Sequence, residues 1–113
     1  MFEKLAVTRM AHALAAHASA RQSVIAANVA HADTPGYRAR EVEDFATHFH
    51  RLRSDPAAAP RTHSVAGAAL SPNGNSVSLE TEMTRAAEAR QQFDMALGIY
   101  QSVSAIIRTS LGR

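Results

Sequence analysis

Six histidines are the side chains in this 113-residue sequence that most invite a chemical role. His48-x-His50 would set two imidazoles on one side of a strand, with Glu43 or Asp44 nearby as further donors to a divalent metal. On a short helix the same spacing points the two rings apart, and no second donor cluster accompanies them. His12 and His17 are five residues apart, a poor helical chelate. His31 and Asp33 fall together at what reads as a corner and can hydrogen-bond locally, but no nucleophile stands near them. The histidines therefore read as surface residues, and neither a metal nor a cofactor is expected.

Nucleophilic and phosphate chemistry fare no better. Ser, His and Asp occur without a nucleophile elbow or a paired-carboxylate motif, and no Gly-rich loop could cradle a phosphate. There is no cysteine, hence no thiol chemistry and no disulfide framework. No catalytic residue and no small-molecule substrate are expected, so the chain is not read as an enzyme. Arg38, Arg40, Arg51, Arg53 and Arg61 cluster in one stretch and raise a second possibility, a small helical adaptor or nucleic-acid-binding protein using a basic arm. Against it, the formal net charge is only +2, and only Tyr37 and Phe49 could interleave as aromatics. The basic residues read better as a solvated surface, with no nucleic acid bound.

The elements around these residues are legible. The length supports one domain over residues 1–113. Scarce aromatics, no Trp and abundant alanine favour long helices in close contact over a thick core. No run approaches the ~20 apolar residues of a membrane-spanning helix. Arg9, His12, His17 and Arg21 interrupt any apolar core of a secretory signal. Taken alone, the sequence would place the protein in the cytoplasm.

Residues 1–33 are expected to form the N-terminal helix. Phe2, Leu5, Ala6, Met10, Ala13, Leu14, His17, Ala20, Val24 and Ala27 recur three and four apart, on a background of the best helix former. Thr34-Pro35-Gly36 ends it. Pro35 pushes Thr34 out of the helical region, Gly36 takes the positive φ of a turn, and Asp33 or Thr34 can bond a nearby backbone N–H. Residues 34–50 are read as corner and arm: extended from Tyr37 to about Val42, then a short helical turn or two carried by the spacing of Val42, Phe45 and Phe49. Residues 51–76, with Pro56, Pro60, Pro72, Gly67 and Gly74 and no apolar period, read as a flexible loop.

The second helix, residues 77–113, has the sharper pattern. Leu79, Met83, Ala86, Arg90, Phe93, Leu97, Tyr100, Ser104, Ile107 and Leu111 step by four and three without a slip, an a/d heptad seam. Ser78 or Ser76 can cap its start. Glu80 and Glu82 suit the first turn and Arg108 the last. Towards the end the stripe widens to include Ile99, Val103 and Ile106. The expected fold is thus all-α: two long helices packed as a coiled-coil-like hairpin, each covering one seam, joined by an extended arm and a long loop. The widened face would stay exposed as an interaction surface. Its asymmetry suits head-to-tail contacts that grow filaments.

A resemblance adds to this reading. Asn28-Val29-Ala30-His31-Ala32-Asp33-Thr34-Pro35-Gly36-Tyr37-Arg38 resembles the N-terminal signature of the axial proteins of the bacterial flagellum, with His31 where a second Asn is usual. The match rests on Asn28, Ala30, Asp33, Thr34, Pro35, Gly36 and Tyr37. The short chain and the segment from Asn73-Gly74-Asn75 through Val77 and Leu79 to Glu82-Met83 are similar to the proximal rod members of that family. The resemblance implies a structural subunit exported by the flagellum's own type III apparatus without a cleaved signal. It implies assembly in the periplasmic rod of the basal body with further copies of itself, other rod proteins, the rod–ring junction protein FliE and the export gate. The heptad residues Leu79, Met83, Ala86, Phe93, Leu97, Tyr100, Ile107 and Leu111 would then be the assembly seam.

Overall fold

The computed structural model of the chain describes residues 2–112. Two helices dominate: α1, Phe2–Ala30, and α3, Leu79–Leu111. At a rise of ~1.5 Å per residue each exceeds 40 Å, and the molecule measures 63 × 28 × 18 Å. Its radius of gyration of 17.5 Å exceeds the ~13 Å of a compact chain this long. The chain is an elongated hairpin with an appendage. Side-chain bonds pair Asn28 with Glu82, Arg21 with Glu88, and both Arg21 and His17 with Gln92. Falling numbers on α1 meet rising numbers on α3, so the helices run antiparallel.

The appendage lies between them. Strand β1 (Arg40–Val42) leads into the short helix α2 (Phe45–Arg51), whose start is capped by Asp44 accepting from the Thr47 N–H at 3.2 Å. Strand β2 (Thr62–Ser64) then pairs antiparallel with β1 in the register Arg40↔Ser64, Glu41↔His63, Val42↔Thr62. The fold is therefore mostly helical but not all-α. The stretch expected to be a featureless loop contributes a strand, because Glu43 fastens it. The Glu43 carboxylate accepts from the Arg61 N–H at 2.8 Å and from Arg51 at 2.7 Å, while the Glu43 N–H donates to the Arg61 carbonyl.

The hairpin interface also corrects the sequence reading. The residues of α3 that face α1 are Glu82, Ala89 and Ala96, not the apolar heptad. On α1 they meet Ala11, Ala18, Ile25 and Asn28. Ala11, Ala18 and Ile25 step by seven, as do Glu82, Ala89 and Ala96. Alanines on both sides let the helix axes approach closely, which large apolar side chains would prevent. The apolar heptad lies on a neighbouring flank and stays in water: Leu79 is 53% exposed, Met83 73% and Leu97 41%.

Candidate functional site

The chain's polar side chains converge at one end of the hairpin, where α1 stops and α3 begins. Helix α1 ends at Ala30. The turn that follows closes with the Tyr37 N–H donating to the Thr34 carbonyl at 3.2 Å, and Gly36 occupies it at φ 75°. Pro35 and Gly36 are the residues such a turn prefers. A second turn, Ser71 to Gly74, closes with the Gly74 N–H on the Ser71 carbonyl at 2.8 Å, and Gly74 has φ 84°. The two turns touch: the Gly36 N–H donates to the Asn73 carbonyl at 2.9 Å, and the Ser76 N–H to the Tyr37 carbonyl at 3.0 Å.

Three buried side chains bolt this corner together. Asn75 donates to the His31 and Thr34 carbonyls at 2.8 and 2.7 Å, satisfying the open end of α1, and accepts from the Val77 N–H at 2.7 Å. The Ser76 hydroxyl accepts from the Ala39 N–H at 2.8 Å. Asn28, fully buried, uses all its capacity. Its amide donates to the Arg40 carbonyl (2.9 Å) and Glu82 Oε1 (3.1 Å), and its Oδ1 accepts from the Tyr37 hydroxyl (3.0 Å) and the Arg40 N–H (3.1 Å). One residue thereby joins α1, the arm and α3.

Glu82 extends the network. It is 1% exposed and holds Arg85 at 2.9 Å, and Arg85 reaches Glu41 at 2.8 Å. Arg21 lies 3.7 Å from Glu41 and 3.3 Å from Glu88. Every buried charge here has an opposite partner, as burial requires.

The other polar cluster lies about three turns back along α1, at His17. His17 and His48, expected on the surface, are buried. The ring nitrogen Nε2 of His17 is 2.7 Å from the Glu43 carbonyl, which can only accept, so that nitrogen carries the proton. Nδ1 is then free to accept from Gln92 at 2.7 Å. The rings of His17 and His48 stack at 6.2 Å. His48 Nδ1 stands 3.7 Å from the Glu43 carboxylate, without a hydrogen bond. Burial pushes the His48 imidazole below its ordinary range, and the Arg51 hydrogen bond holds Glu43 at about 2. The cluster ties the arm to both helices. Among the described residues no three His, Asp or Glu side chains converge as a metal site would need.

Of the signature residues, the structure brings Asn28, Gly36 and Tyr37 into the bolted corner. The backbone carbonyl of Thr34 joins them, while Ala30, Asp33 and Pro35 face water. Neither Asp33 nor the Thr34 side chain supplies the bend-fixing bond expected of them; Asn75 does it from the other end of the chain. His31 stacks on Tyr37 at 4.7 Å and donates to the Ala27 carbonyl at 2.8 Å. Ser78, not Ser76, caps α3, accepting from the Thr81 N–H at 3.3 Å.

Along the seam Leu79, Met83, Ala86, Leu97, Tyr100 and Leu111 are exposed, while Phe93 and Ile107 are half-buried. Glu41, Arg85 and Gln92, which the sequence reading passed over, carry contacts within the chain, together with Glu82, which it read only as a first-turn acid. The seven-residue steps Ala11–Ala18–Ile25 and Glu82–Ala89–Ala96 were the available signal for the face on which the helices meet. The basic arm is partly engaged: Arg51 is held by Glu43, and Arg40 donates to the Thr62 hydroxyl at 3.0 Å.

Comparison with known proteins gives concordant matches. A family model described as flagella basal body rod protein matches residues 11–38, which include the corner signature. The flagellar basal body rod protein FlgB of Escherichia coli K12 is 32% identical over 100 residues, covering 68% of this chain and 72% of the relative. That of Salmonella typhimurium LT2 is 31% identical over 105 residues, covering 73% and 75%. The protein of the same description from Shigella flexneri matches at 32%.

Proposed function

The chain belongs to the flagellar basal body rod protein family, and we propose that it is a structural subunit of the proximal rod of the bacterial flagellar basal body. The observation that carries this beyond the family is the uncovered apolar seam of α3. Leu79, Met83, Leu97, Tyr100 and Leu111 line one flank of a helix whose opposite duties, toward α1 and the arm, are already filled. A soluble monomer gains nothing from such a stripe, whereas a subunit buried among neighbours does. Residues 1–113 act as a single rod-type unit. Asn28, Gly36 and Tyr37 shape its corner, with Ala30, Asp33, Thr34 and Pro35 around them, and Leu79, Met83, Ala86, Phe93, Leu97, Tyr100, Ile107 and Leu111 form its assembly surface.

The role calls for no reaction and no cofactor: rigidity under torque comes from helix packing between subunits. Its partners in this reading are other rod proteins and further copies of itself, with the junction protein FliE and the export gate at the base. The subunit reaches the rod through the flagellar type III route. Deletion of the gene in a flagellated host tests the reading. Electron microscopy of basal bodies should show construction arrested at the rod, restored by the wild-type chain. Complete rods in the deletion strain would refute it.

A further inference from the structure

Two surfaces of the hairpin are left uncovered. An α-helix turns about 100° per residue. With Glu82, Ala89 and Ala96 facing α1, Arg85 and Gln92 swing to one side, where they meet Glu41 and His17. That side carries the arm. Leu79, Met83 and Ala86 swing the other way, onto the flank turned from the arm.

Where α2 and the loop after it stand off from α1, they leave an open groove of about 750 Å³. Ala13 and Ala16 of α1 line one side, and Phe49 and Leu52 the other, with Arg9 and Arg53 exposed beside them. Neither arginine has an ion-pair partner among the described residues. On the flank turned from the arm, the first turns of α3 present Leu79 and Met83, 53% and 73% exposed, beside Glu80. Glu80 is exposed and likewise has no partner among the described residues. An apolar groove flanked by two free cations thus matches an apolar ridge carrying a free carboxylate, and the same chain holds both.

We propose that the groove between α1 and α2 receives the start of α3, Leu79 to Met83, from a second copy of this chain, with Glu80 meeting Arg9 and Arg53. The ridge lies at the Asn28 end of the hairpin and the groove beside Arg9 to Ala16, so the contact is heterologous: each copy presents its ridge to one neighbour and its groove to another. Such a contact extends as a series and does not close on itself as a two-fold dimer. The proposal rests on the rod reading and adds which surface of one copy touches which of the next.

The test uses the absence of native cysteine. Differently tagged Arg53→Cys and Glu80→Cys chains are coexpressed in a flagellated host lacking the native gene, and isolated basal bodies are oxidised. The expected product is a mixed disulfide dimer carrying both tags, lost on reduction and absent when either variant is expressed alone. Basal bodies containing both variants but no mixed dimer overturn the proposed contact and leave the rod reading standing. Absence of the wild-type chain from basal bodies overturns the rod reading itself. Should the cysteine variants fail to enter, charge reversal decides: Arg53→Glu and Glu80→Arg each lower incorporation, and the double variant restores it. A double variant no better than the singles overturns the contact.

Discussion

Replacing Asn28 by alanine removes the one side chain that touches α1, the arm and α3 at once. Four hydrogen bonds vanish together. The half-buried Tyr37 hydroxyl can turn to water, but the peptide N–H and carbonyl of Arg40 lose their side-chain partner, and Glu82 loses a donor in a site only 1% exposed. A buried polar group left unpaired costs roughly 1–3 kcal/mol. With Glu82 still held by Arg85, the expected total is about 3–5 kcal/mol, a large part of the ~5–15 kcal/mol that holds a small domain folded. The assay is urea unfolding followed by far-UV circular dichroism. Asn28→Asp sharpens it, because the acceptor for Tyr37 and the Arg40 N–H survives while a second carboxylate is set against Glu82. It should cost at least as much as alanine, and adding Glu82→Gln should recover part of the loss, a coupling that a double-mutant cycle measures. A loss below about 1 kcal/mol for Asn28→Ala, the scale of an exposed substitution, would show that the corner is not the anchor of the fold.

Leu97→Asp should barely change the unfolding midpoint of the isolated subunit, because Leu97 is 41% exposed there, yet it should block rod assembly. Gln91→Asp, off the seam, should spare both, and basal-body microscopy at matched expression decides. Acidification should weaken the fold in two steps. The contribution of His48, held neutral by burial, is full above pH 6.5 and falls below it. That of Glu43 is full above pH 4.5 and falls between 4.5 and about 2. Urea midpoints across pH should lose the first step in His48→Gln and the second in Glu43→Gln. Amide hydrogen exchange of a dilute monomer should show weak protection at Ala6–Leu14 and Ile99–Leu111, far from the polar bolts, and strong protection around Asn28 and Glu82. Uniform protection along both helices would contradict it.

The long helices, the corner and the arm were legible because local signals carry them: Pro35-Gly36 stops α1, Ser78 caps α3, and the spacing of Phe45 and Phe49 fits α2. Strand β2 was not, since Thr62-His63-Ser64 has no apolar alternation and is held through Glu43, nearly twenty residues away. The choice of hairpin face was misread for a physical reason. Periodicity finds the most apolar stripe, and here that stripe faces outward, while α1 is met by alanines and a buried carboxylate. Glu82 reads as a first-turn acid suited to the helix dipole; only the arrival of Asn28 and Arg85 makes it a core residue. His17 and His48 were misjudged in the same way, by residue type before their neighbours were known. Asn28, Gly36 and Tyr37 were picked out as a signature, but what joins them to Asn75 and Ser76 was not visible in one dimension.

The contact between the Gly36 and Gly74 turns has a consequence for how this chain can vary. The backbone leaves the hairpin at Tyr37 and returns to the same spot at Asn73, with Gly36 N–H on Asn73 and Ser76 N–H on Tyr37 clamping the two crossings. The arm is bolted back to both helices through Arg40, Glu41 and Glu43, and the rest of what lies between hangs from a closed neck. Lengthening a loop whose ends are already fixed costs only about 0.6 kcal/mol per doubling, so the helical shaft is indifferent to the size of what the neck carries. The neck is a docking port in the modular sense: a place where the loop beyond the arm can be trimmed or enlarged while α1 and α3 keep their register.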